Sequence, residues 1–313
     1  MTEIEIRELP LDDRAGHEAY AAVWNSVMLR EPITAAELSR NRARKADDVR
    51  FVARLDWQIA GCASAVRSDL AGRTYTALAV LPEHRRHGVG RALLARALET
   101  ARRHGSSLLA TAFEEGDREG EAFAAALGFE EVFREVEISR RLRGDEADPE
   151  SPAGIEIAPL AERADAIAGA YELACLALPE LPLPTPIEVP DLERWLDEEA
   201  TGPGVLAGGT LVALEDGRVV GFASLLRREA DPRLAEHGLT AVAPSHRRRG
   251  IATALKRRQI AWAARNGYRE LMTFTQEGNA GMQAVNMRLG YVPRPAWIRI
   301  EAPLDRVAER LRG

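Results

Sequence analysis

The second half of the chain alternates between strand-like and helix-like patterns of apolar residues. Apolar side chains at Ile167, Ala170, Tyr171, Ala174 and Leu178 recur with roughly the 3.6-residue period of a helix over residues 162–177. Further helices are predicted over 251–265 and 281–289. Short apolar runs predict strands at 155–159, 211–214, 219–226, 238–242, 271–275 and from 291 onward. Strands that alternate with helices, together with a hairpin across residues 215–218, predict an α/β fold with a mixed central sheet and helices on both faces.

The first half repeats this pattern. Residues 79–105 align without gaps with residues 241–267 at an offset of 162, and 13 of the 27 positions are identical. The same offset places Leu127-Gly128-Phe129 on Leu289-Gly290-Tyr291, whereas residues 59–64 align with 219–224 at an offset of 160. With only two long units, the pattern indicates a duplicated domain and not a solenoid.

The boundaries follow from composition. Residues 142–154 are rich in charge, Pro and Gly and lack apolar periodicity, which is typical of a linker. We therefore predict one domain over residues 1–141 and a second over 155–313. A Pro-rich stretch at 179–190 cannot form a helix, and we expect a substrate-facing loop there.

The strongest chemical signal is a loop of Arg and Gly that appears in both halves between a predicted strand and a predicted helix. Its sequence is Arg-Arg-His-Gly-Val-Gly at 85–90 and Arg-Arg-Arg-Gly-Ile-Ala at 247–252. A glycine allows backbone to approach a ligand, and the free N–H groups of the helix start bind anions such as a diphosphate. Neither a P-loop lysine nor the third glycine of a dinucleotide fingerprint is present. A solvated basic turn is the alternative, but recurrence in register argues against it.

These segments, with the Leu-Gly-Phe and Leu-Gly-Tyr landmarks, resemble motif A and the last helix of the GNAT superfamily of N-acetyltransferases. The resemblance implies two tandem GNAT-like domains that bind acetyl-CoA as co-substrate, with pantetheine between two splayed strands. The contacts it implies in the second half are Ala241, Val242, Arg247, Arg248, Arg249, Gly250, Ile251, Ala252, Thr253 and Asn279. Those in the first half are Val80, Arg85, Arg86, His87, Gly88, Val89, Gly90 and Arg91.

Catalytic residues are less defined by the sequence. Many family members carry a Tyr general acid four residues before the Gly of the Leu-Gly landmark, but the two halves have Ala124 and Asn286 there. Asn286 is therefore a candidate donor to the thioester, or a helix residue paired with nearby backbone. Glu236 and His237, which enter the strand before Val242, are candidate bases or edge residues in solvent. Because the second half keeps Asn279 and Asn286, we expect catalysis there.

Composition limits the partners. The formal net charge of −6 favours neither nucleic acid nor an anionic membrane, no apolar run is long enough to span a bilayer, and the N-terminus lacks a signal-peptide pattern. Two cysteines without a Cys/His cluster predict no metal site. We expect a cytoplasmic bacterial enzyme, monomeric or homodimeric, that acetylates a primary amine of a small molecule. The alternatives are a CoA-binding regulatory module without turnover and a protein N-acetyltransferase.

Overall fold

A computed structural model describes residues 3–44 and 47–313, and the chain forms two compact units. The first unit contains the described residues up to Arg134 together with Trp297–Gly313, and the second contains Glu135–Ala296. None of the helices in the described ranges is both long enough and apolar enough to cross a membrane.

The first half of the chain supplies six strands and four helices to the described structure. Its strands are β1 (Ile4–Glu8), β2 (Val49–Leu55), β3 (Gln58–Arg67), β4 (Arg73–Val80), β5 (Leu108–Glu114) and β6 (Glu130–Arg141). Its helices are α1 (Arg14–Val27), α2 (Ala35–Arg44), α3 (Val89–Arg103) and α4 (Arg118–Ala126).

The second half repeats this order of elements. Its strands are β7 (Glu156–Pro159), β8 (Leu211–Glu215), β9 (Arg218–Arg227), β10 (Leu234–Val242), β11 (Glu270–Gln276), β12 (Val292–Pro293) and β13 (Trp297–Pro303). Its helices are α5 (Ile167–Ala177), α6 (Leu192–Trp195), α7 (Ile251–Arg265), α8 (Ala280–Arg288) and α9 (Leu304–Arg312). A π-helical turn, Leu196–Ala200, continues α6.

The sheets of the two units have the same strand order. In the first unit the strand order is β1-β2-β3-β4-β5-β13, and in the second it is β7-β8-β9-β10-β11-β6. In each sheet the fourth and fifth strands are parallel and every other neighbouring pair is antiparallel. The predicted mixed α/β fold is confirmed in both copies.

The last strand of each sheet comes from the other half of the sequence. Residues 135–141 of β6 pair with β11, and β13 pairs with β5 along seven residues. The compact units therefore differ in two segments from the predicted division into residues 1–141 and 155–313. Neither half of the sequence contains a complete six-stranded sheet.

Apolar side chains cover both faces of each sheet. In the second unit α5 packs on one face, where Leu173, Trp195 and Phe222 are buried in one cluster. On the opposite face α7 contributes Ile251 and Leu255 to a second cluster. Because burial of apolar area is the dominant favourable term in folding, this two-sided covering fixes which strand residues face each helix layer.

Most predicted elements lie within a few residues of their observed bounds. The predicted helix over 251–265 coincides with α7, and the Pro-rich stretch contains no α-helix, as predicted. The helix predicted over 162–177 begins only at Ile167, because two 3₁₀ turns precede it and the backbone at Arg163 is not helical, with φ −131° and ψ 62°. β10 begins at Leu234 and not at Gly238, since Gly238 lies at an irregularity inside the strand.

One buried charge in α7 has no counterpart in the first unit. Lys256 is 1% exposed, and its Nζ lies 5.9 Å from the centroid of the Tyr291 ring. The equivalent residue at the 162 offset, Leu94, is also 1% exposed. Burial lowers the pKa of Lys256 to about 7, since the charged form loses its hydration.

This burial predicts a pH-dependent stability. The unfolded chain binds the Lys256 proton up to about pH 10.5 and the folded chain only to about pH 7, so folding gains stability as pH rises between these values. Lys256→Met should be more stable than the natural protein at pH 7, with an advantage that shrinks by up to ~1.4 kcal/mol per pH unit toward pH 10. Urea unfolding of both proteins from pH 7 to 9.5 measures this difference. Leu94→Met is the matched control, and a Lys256→Met difference that does not vary with pH would contradict the assignment.

Candidate active site

The two Arg-Gly loops have the same backbone conformation. Arg86 and Arg248 have φ of 63° and 66°, and Gly88 and Gly250 have φ of 88° and 82°. α3 and α7 begin at the residue after the glycine, and no side chain caps either helix. The repeated sequence is therefore a repeated structure at a strand-to-helix junction, as predicted.

This conformation leaves backbone donors open for an anion. The first N–H groups of α3 and α7 have no intrahelical acceptor, and the positive end of the helix dipole lies at the same place. A Cβ built at Gly250 meets no atom within 4 Å, and one at Gly88 meets only Ile4 Cδ1, at 3.4 Å. Successive amides around left-handed residues form a concave nest that suits phosphate oxygens.

The arginine side chains of the second loop divide into paired and unpaired groups. Arg247 forms an ion pair with Glu180 of the Pro-rich stretch, and its Nε donates to the Val242 carbonyl at 3.2 Å. Arg249 and His246 both bind Glu215, and these contacts lower the pKa of that carboxyl to about 2. Arg248 has no ion pair within the described residues. Within the described residues, Arg248 is therefore unpaired, whereas Arg247 and Arg249 would have to exchange a carboxylate for an anionic ligand.

The first loop differs in its side-chain contacts. Arg85 Nε donates to the Val80 carbonyl at 3.2 Å, which matches Arg247, and its guanidinium binds Glu119. His87 Nδ1 lies 2.7 Å from the Arg85 carbonyl oxygen. Arg91 donates to the carbonyl oxygens of Arg310 and Leu311 at the end of α9. Arg91 therefore caps a helix here instead of extending toward the loop.

The remaining predicted loop residues contribute mainly backbone. Val89 and Ile251 are each 1% exposed, so their side chains belong to the core. Gly90 packs closely under α4, since a Cβ there would lie 3.3 Å from Phe123. Ala252 and Thr253 form the first turn of α7. Any ligand contact of the buried residues must come from their peptide groups.

Next to each loop, two parallel strands separate. β10 pairs with β11 only from Leu234 to Glu236, and β4 pairs with β5 only from Arg73 to Tyr75. On its other side β10 stays bonded to β9, where Ala241 is opposite Phe222 and the Ala243 N–H donates to Val220. Because amides alternate in direction along an antiparallel strand, the N–H groups of Thr240 and Val242 point into the gap between β10 and β11. The same alternation aims those of Leu78 and Val80 into the gap of the first unit.

Only the second unit has a β-bulge at this point. His237 is opposite Leu225 and Thr240 is opposite Ala223, so Ser224 faces two residues, Gly238 and Leu239. In the first unit β4 and β3 are in unbroken register from Thr74 to Val80. A bulge changes the direction of a strand and of its peptide groups, and bulges are common beside active sites.

The bulge is bound by a carboxylate that the sequence did not indicate. Glu199, in the π-helical turn after α6, accepts hydrogen bonds from the Leu239 N–H at 3.2 Å and from the Ser224 hydroxyl. A Cβ at Gly238 would overlap both Ser224 Oγ and the Glu199 carboxylate. Burial raises the pKa of Glu199, although Ser224 and Leu239 act in the opposite direction.

The two predicted bases have different surroundings. Glu236 is the last residue of β10 that pairs with β11, and its carboxylate lies 3.0 Å from Arg228. His237 is 2% exposed and its side chain faces α7, where Nδ1 lies 2.8 Å from Gln259 Oε1. Its Nε2 is hydrogen-bonded to the Tyr291 hydroxyl.

The contacts of Gln259 fix the protonation of His237. Gln259 Nε2 donates to the carbonyl oxygens of Gly209, Ala223 and Ser224 at 3.0–3.1 Å, so its Oε1 must accept from His237 Nδ1. Nε2 of the ring then accepts from Tyr291, and burial holds the pKa of His237 well below its ordinary value. Both nitrogens of this neutral imidazole are engaged, which makes His237 a support for β10 and leaves it no nitrogen for a substrate.

Several polar atoms of the second unit are buried without hydrogen-bond partners. Asn286 is 0% exposed, and neither its Oδ1 nor its Nδ2 has a hydrogen bond. Thr240 Oγ1 on β10 and Thr275 Oγ1 on β11 are also buried without a hydrogen-bond partner. Each such group costs about 1–3 kcal/mol when it is left unsatisfied. A ligand with amide groups, as pantetheine has, would supply the missing partners, so these residues fit that group.

Asn279 is a helix cap in the second unit, and the first unit has no amide side chain at the position of Asn286. Asn279 caps α8, with its side chain accepting from the Met282 N–H at 3.2 Å. Ala124 is buried at the position of Asn286 and offers no donor. Among the residues that the structure describes, no three His, Cys, Asp or Glu side chains gather as metal ligands.

Comparisons with known proteins give the same fold for nearly the whole chain. A GCN5-related N-acetyltransferase from Sphaerobacter thermophilus superposes with a TM-score of 0.74 at 20% identity, over 96% of each chain. A tandem GNAT protein from the clavulanic acid biosynthesis pathway superposes with a TM-score of 0.77 at 24% identity, over 96% of this chain and 99% of that one. No curated protein sequence matches the chain significantly.

The sequence profile of one family matches both halves. It covers residues 14–129 and 171–291, which include both Arg-Gly loops, both pairs of separating strands and both Leu-Gly landmarks. The chain belongs to the acetyltransferase (GNAT) family, with two tandem copies of its domain.

Proposed function

We propose that the protein transfers the acetyl group of acetyl-CoA to a primary amine of a small molecule, and that the reaction takes place in the second unit. The observation that carries this proposal is the β-bulge of β10, which stands beside the gap to β11 and is absent from β4. The family name supports acetyl transfer, and the difference between the copies supports the choice of unit.

The loop at 247–253 would hold the CoA diphosphate. The amides of Gly250, Ile251 and Ala252 would donate to phosphate oxygens, and Arg248 would add an unpaired charge. Arg247 and Arg249 would exchange Glu180 and Glu215 for phosphate. These carboxylates keep the arginines in place before the ligand arrives.

The gap between β10 and β11 would hold pantetheine and the thioester. The Val242 and Thr240 amides would donate to its carbonyl oxygens, and a donor at the thioester carbonyl stabilises the oxyanion that develops during attack. Asn286, buried and unpartnered, would donate to the sulfur or to the pantetheine chain. The amine lone pair forms the C–N bond, the C–S bond breaks, and the thiolate leaves with a proton from nitrogen.

The Pro-rich stretch favours a small acceptor. Glu180 at its start binds Arg247 of the loop, and a Cβ at Gly278, before α8, would lie 3.2 Å from Pro182. The first residues of the stretch therefore contact both the loop before α7 and the segment before α8. A segment in this position narrows the entrance to the gap, which disfavours a protein chain as acceptor.

For the first unit we propose CoA binding without turnover. Its loop has the same φ pattern and its strands separate in the same way. It lacks the bulge, and Ala124 replaces the buried amide donor. A panel of primary amines with acetyl-CoA and detection of free thiol tests the activity of the whole protein.

CoA affinity tests the diphosphate loop. Gly88→Asp removes the first loop as a binding site, and in that background Gly250→Asp should weaken CoA binding more than about 100-fold, because a carboxylate would face the diphosphate. Gly250→Ala is the matched control, since it adds the same Cβ at φ 82° without charge. Calorimetric titration measures both. Equal affinities for the Asp and Ala variants would exclude this loop.

Turnover tests the choice of unit. Gly88→Asp alone should leave kcat within a few-fold, whereas Gly250→Asp should abolish turnover. Asn286→Ala, which copies the buried Ala124, should lower kcat by about 10²–10³ with little change in CoA affinity. Steady-state kinetics on an amine from the panel measures all three. Loss of turnover in a folded Gly88→Asp protein, with activity retained in Gly250→Asp, would place the chemistry in the first unit.

A further inference from the structure

The Glu199 carboxylate is hydrogen-bonded to a peptide group of β10 beside the gap between β10 and β11. It accepts from the Leu239 N–H, and Leu239 directly precedes Thr240, whose amide points into the gap. Its second donor, Ser224, is the residue of β9 that faces the bulge. The carboxylate is thus bound to both strands at the point where β10 changes direction.

Packing fixes this position. Trp195, one helical turn earlier, is 0% exposed and lies between Tyr171 and Phe222, with ring centroids 5.5 and 5.3 Å away. The backbone then widens into the π-helical turn that carries Glu199. Such turns are rare and occur frequently at functional sites. A buried aromatic anchor and two hydrogen bonds leave the carboxylate little freedom.

Glu199 lies on the face of the sheet opposite α7. Its segment packs with α5 in the cluster that contains Leu239 and Ala241, whereas Val242 and α7 belong to the cluster on the other face. Since the proposed diphosphate loop continues into α7, CoA would approach from the side of that helix. The face with α5 and Glu199 is the one left for the amine.

We infer that Glu199 is the general base that accepts a proton from the substrate ammonium, and that Ser224 positions it. This inference rests on the proposed acetyl transfer in the second unit. One ammonium proton passes to the Glu199 carboxylate, and the freed lone pair attacks the thioester carbon. The tetrahedral adduct loses a second proton to the departing CoA thiolate as the C–S bond breaks, and Glu199 releases its proton to water.

The surroundings of Glu199 suit this role. Burial and the like charge of Glu198 raise its pKa, while the Ser224 hydroxyl and the Leu239 N–H lower it. A carboxylate with a raised pKa is a stronger proton acceptor at neutral pH than an exposed one. The role requires the ionised form, so kcat/KM should fall as the pH drops through the pKa of Glu199.

The experiment compares isosteric variants on an amine from the panel. Glu199→Gln keeps an oxygen that accepts from Ser224 and Leu239 but cannot take a proton, so kcat at neutral pH should fall roughly 10²–10⁴-fold with CoA affinity unchanged. Glu193→Gln, which alters an exposed carboxylate on α6, is the matched control and should stay within a few-fold.

The pH profile separates a base from a structural residue. Ser224→Ala removes a hydrogen bond that lowers the pKa of Glu199, so the acid limb of kcat/KM should move to higher pH, and a weakly basic amine keeps substrate titration out of this range. Full activity of Glu199→Gln, an unmoved limb in Ser224→Ala, or a comparable loss only in Glu236→Gln would each overturn the assignment. If the natural protein binds CoA but releases no thiol with any amine, the proposed function itself fails.

Discussion

β10 and β11 are hydrogen-bonded along only three residues and then separate, which leaves backbone N–H groups facing a gap. Buried peptide groups almost always need partners, so such a gap persists only where something else satisfies them. In the second unit the bulge redirects β10, and Glu199 binds the Leu239 amide. On the side of α7, the His237 side chain of β10 is hydrogen-bonded to Gln259 and Tyr291. In the proposed function, the amides that remain would bind the polar groups of a pantetheine chain.

Both copies have kept the conformation of the Arg-Gly loop, whereas only the second has the bulge and the residues bound to it. The loops agree in φ within a few degrees, because a left-handed glycine before an uncapped helix is what an anion site at this junction requires. The strand next to each loop is less constrained by diphosphate binding. There the first unit has an unbroken ladder and Ala124. The second has a bulge, the Glu199 carboxylate that accepts from Leu239 and Ser224, and buried Asn286.

Much of the fold could be predicted from the sequence, because periodicity and the repeat report on local structure. The loops, α7 and the two layers of helices follow from patterns within about 30 residues of chain. The bulge also changes the alignment of the two halves. Equivalent residues are 160 positions apart along β9, 161 at the start of β10, which is equivalent to β4, and 162 after the bulge. The extra residue within β10 is the bulge residue.

Two features could not be predicted, since they depend on contacts distant in sequence. Glu199 binds residues 25 and 40 positions away, and nothing in its own segment distinguishes it from Glu198. The pairing of β6 with β11 and of β13 with β5 could not be predicted from the sequence either. Equivalent strands of duplicated domains have the same apolar pattern, so either pairing satisfies the sequence.

We propose that the thioester of acetyl-CoA lies against β10, the bulged strand of the second unit. A crystal structure with acetyl-CoA bound tests it most directly. We expect the diphosphate to lie on residues 247–253 and the thioester carbonyl oxygen to accept a hydrogen bond of about 3 Å from the Thr240 or Val242 N–H. Acetyl-CoA bound only on residues 85–91, with its thioester beside β4 and no ligand along β10, would contradict it.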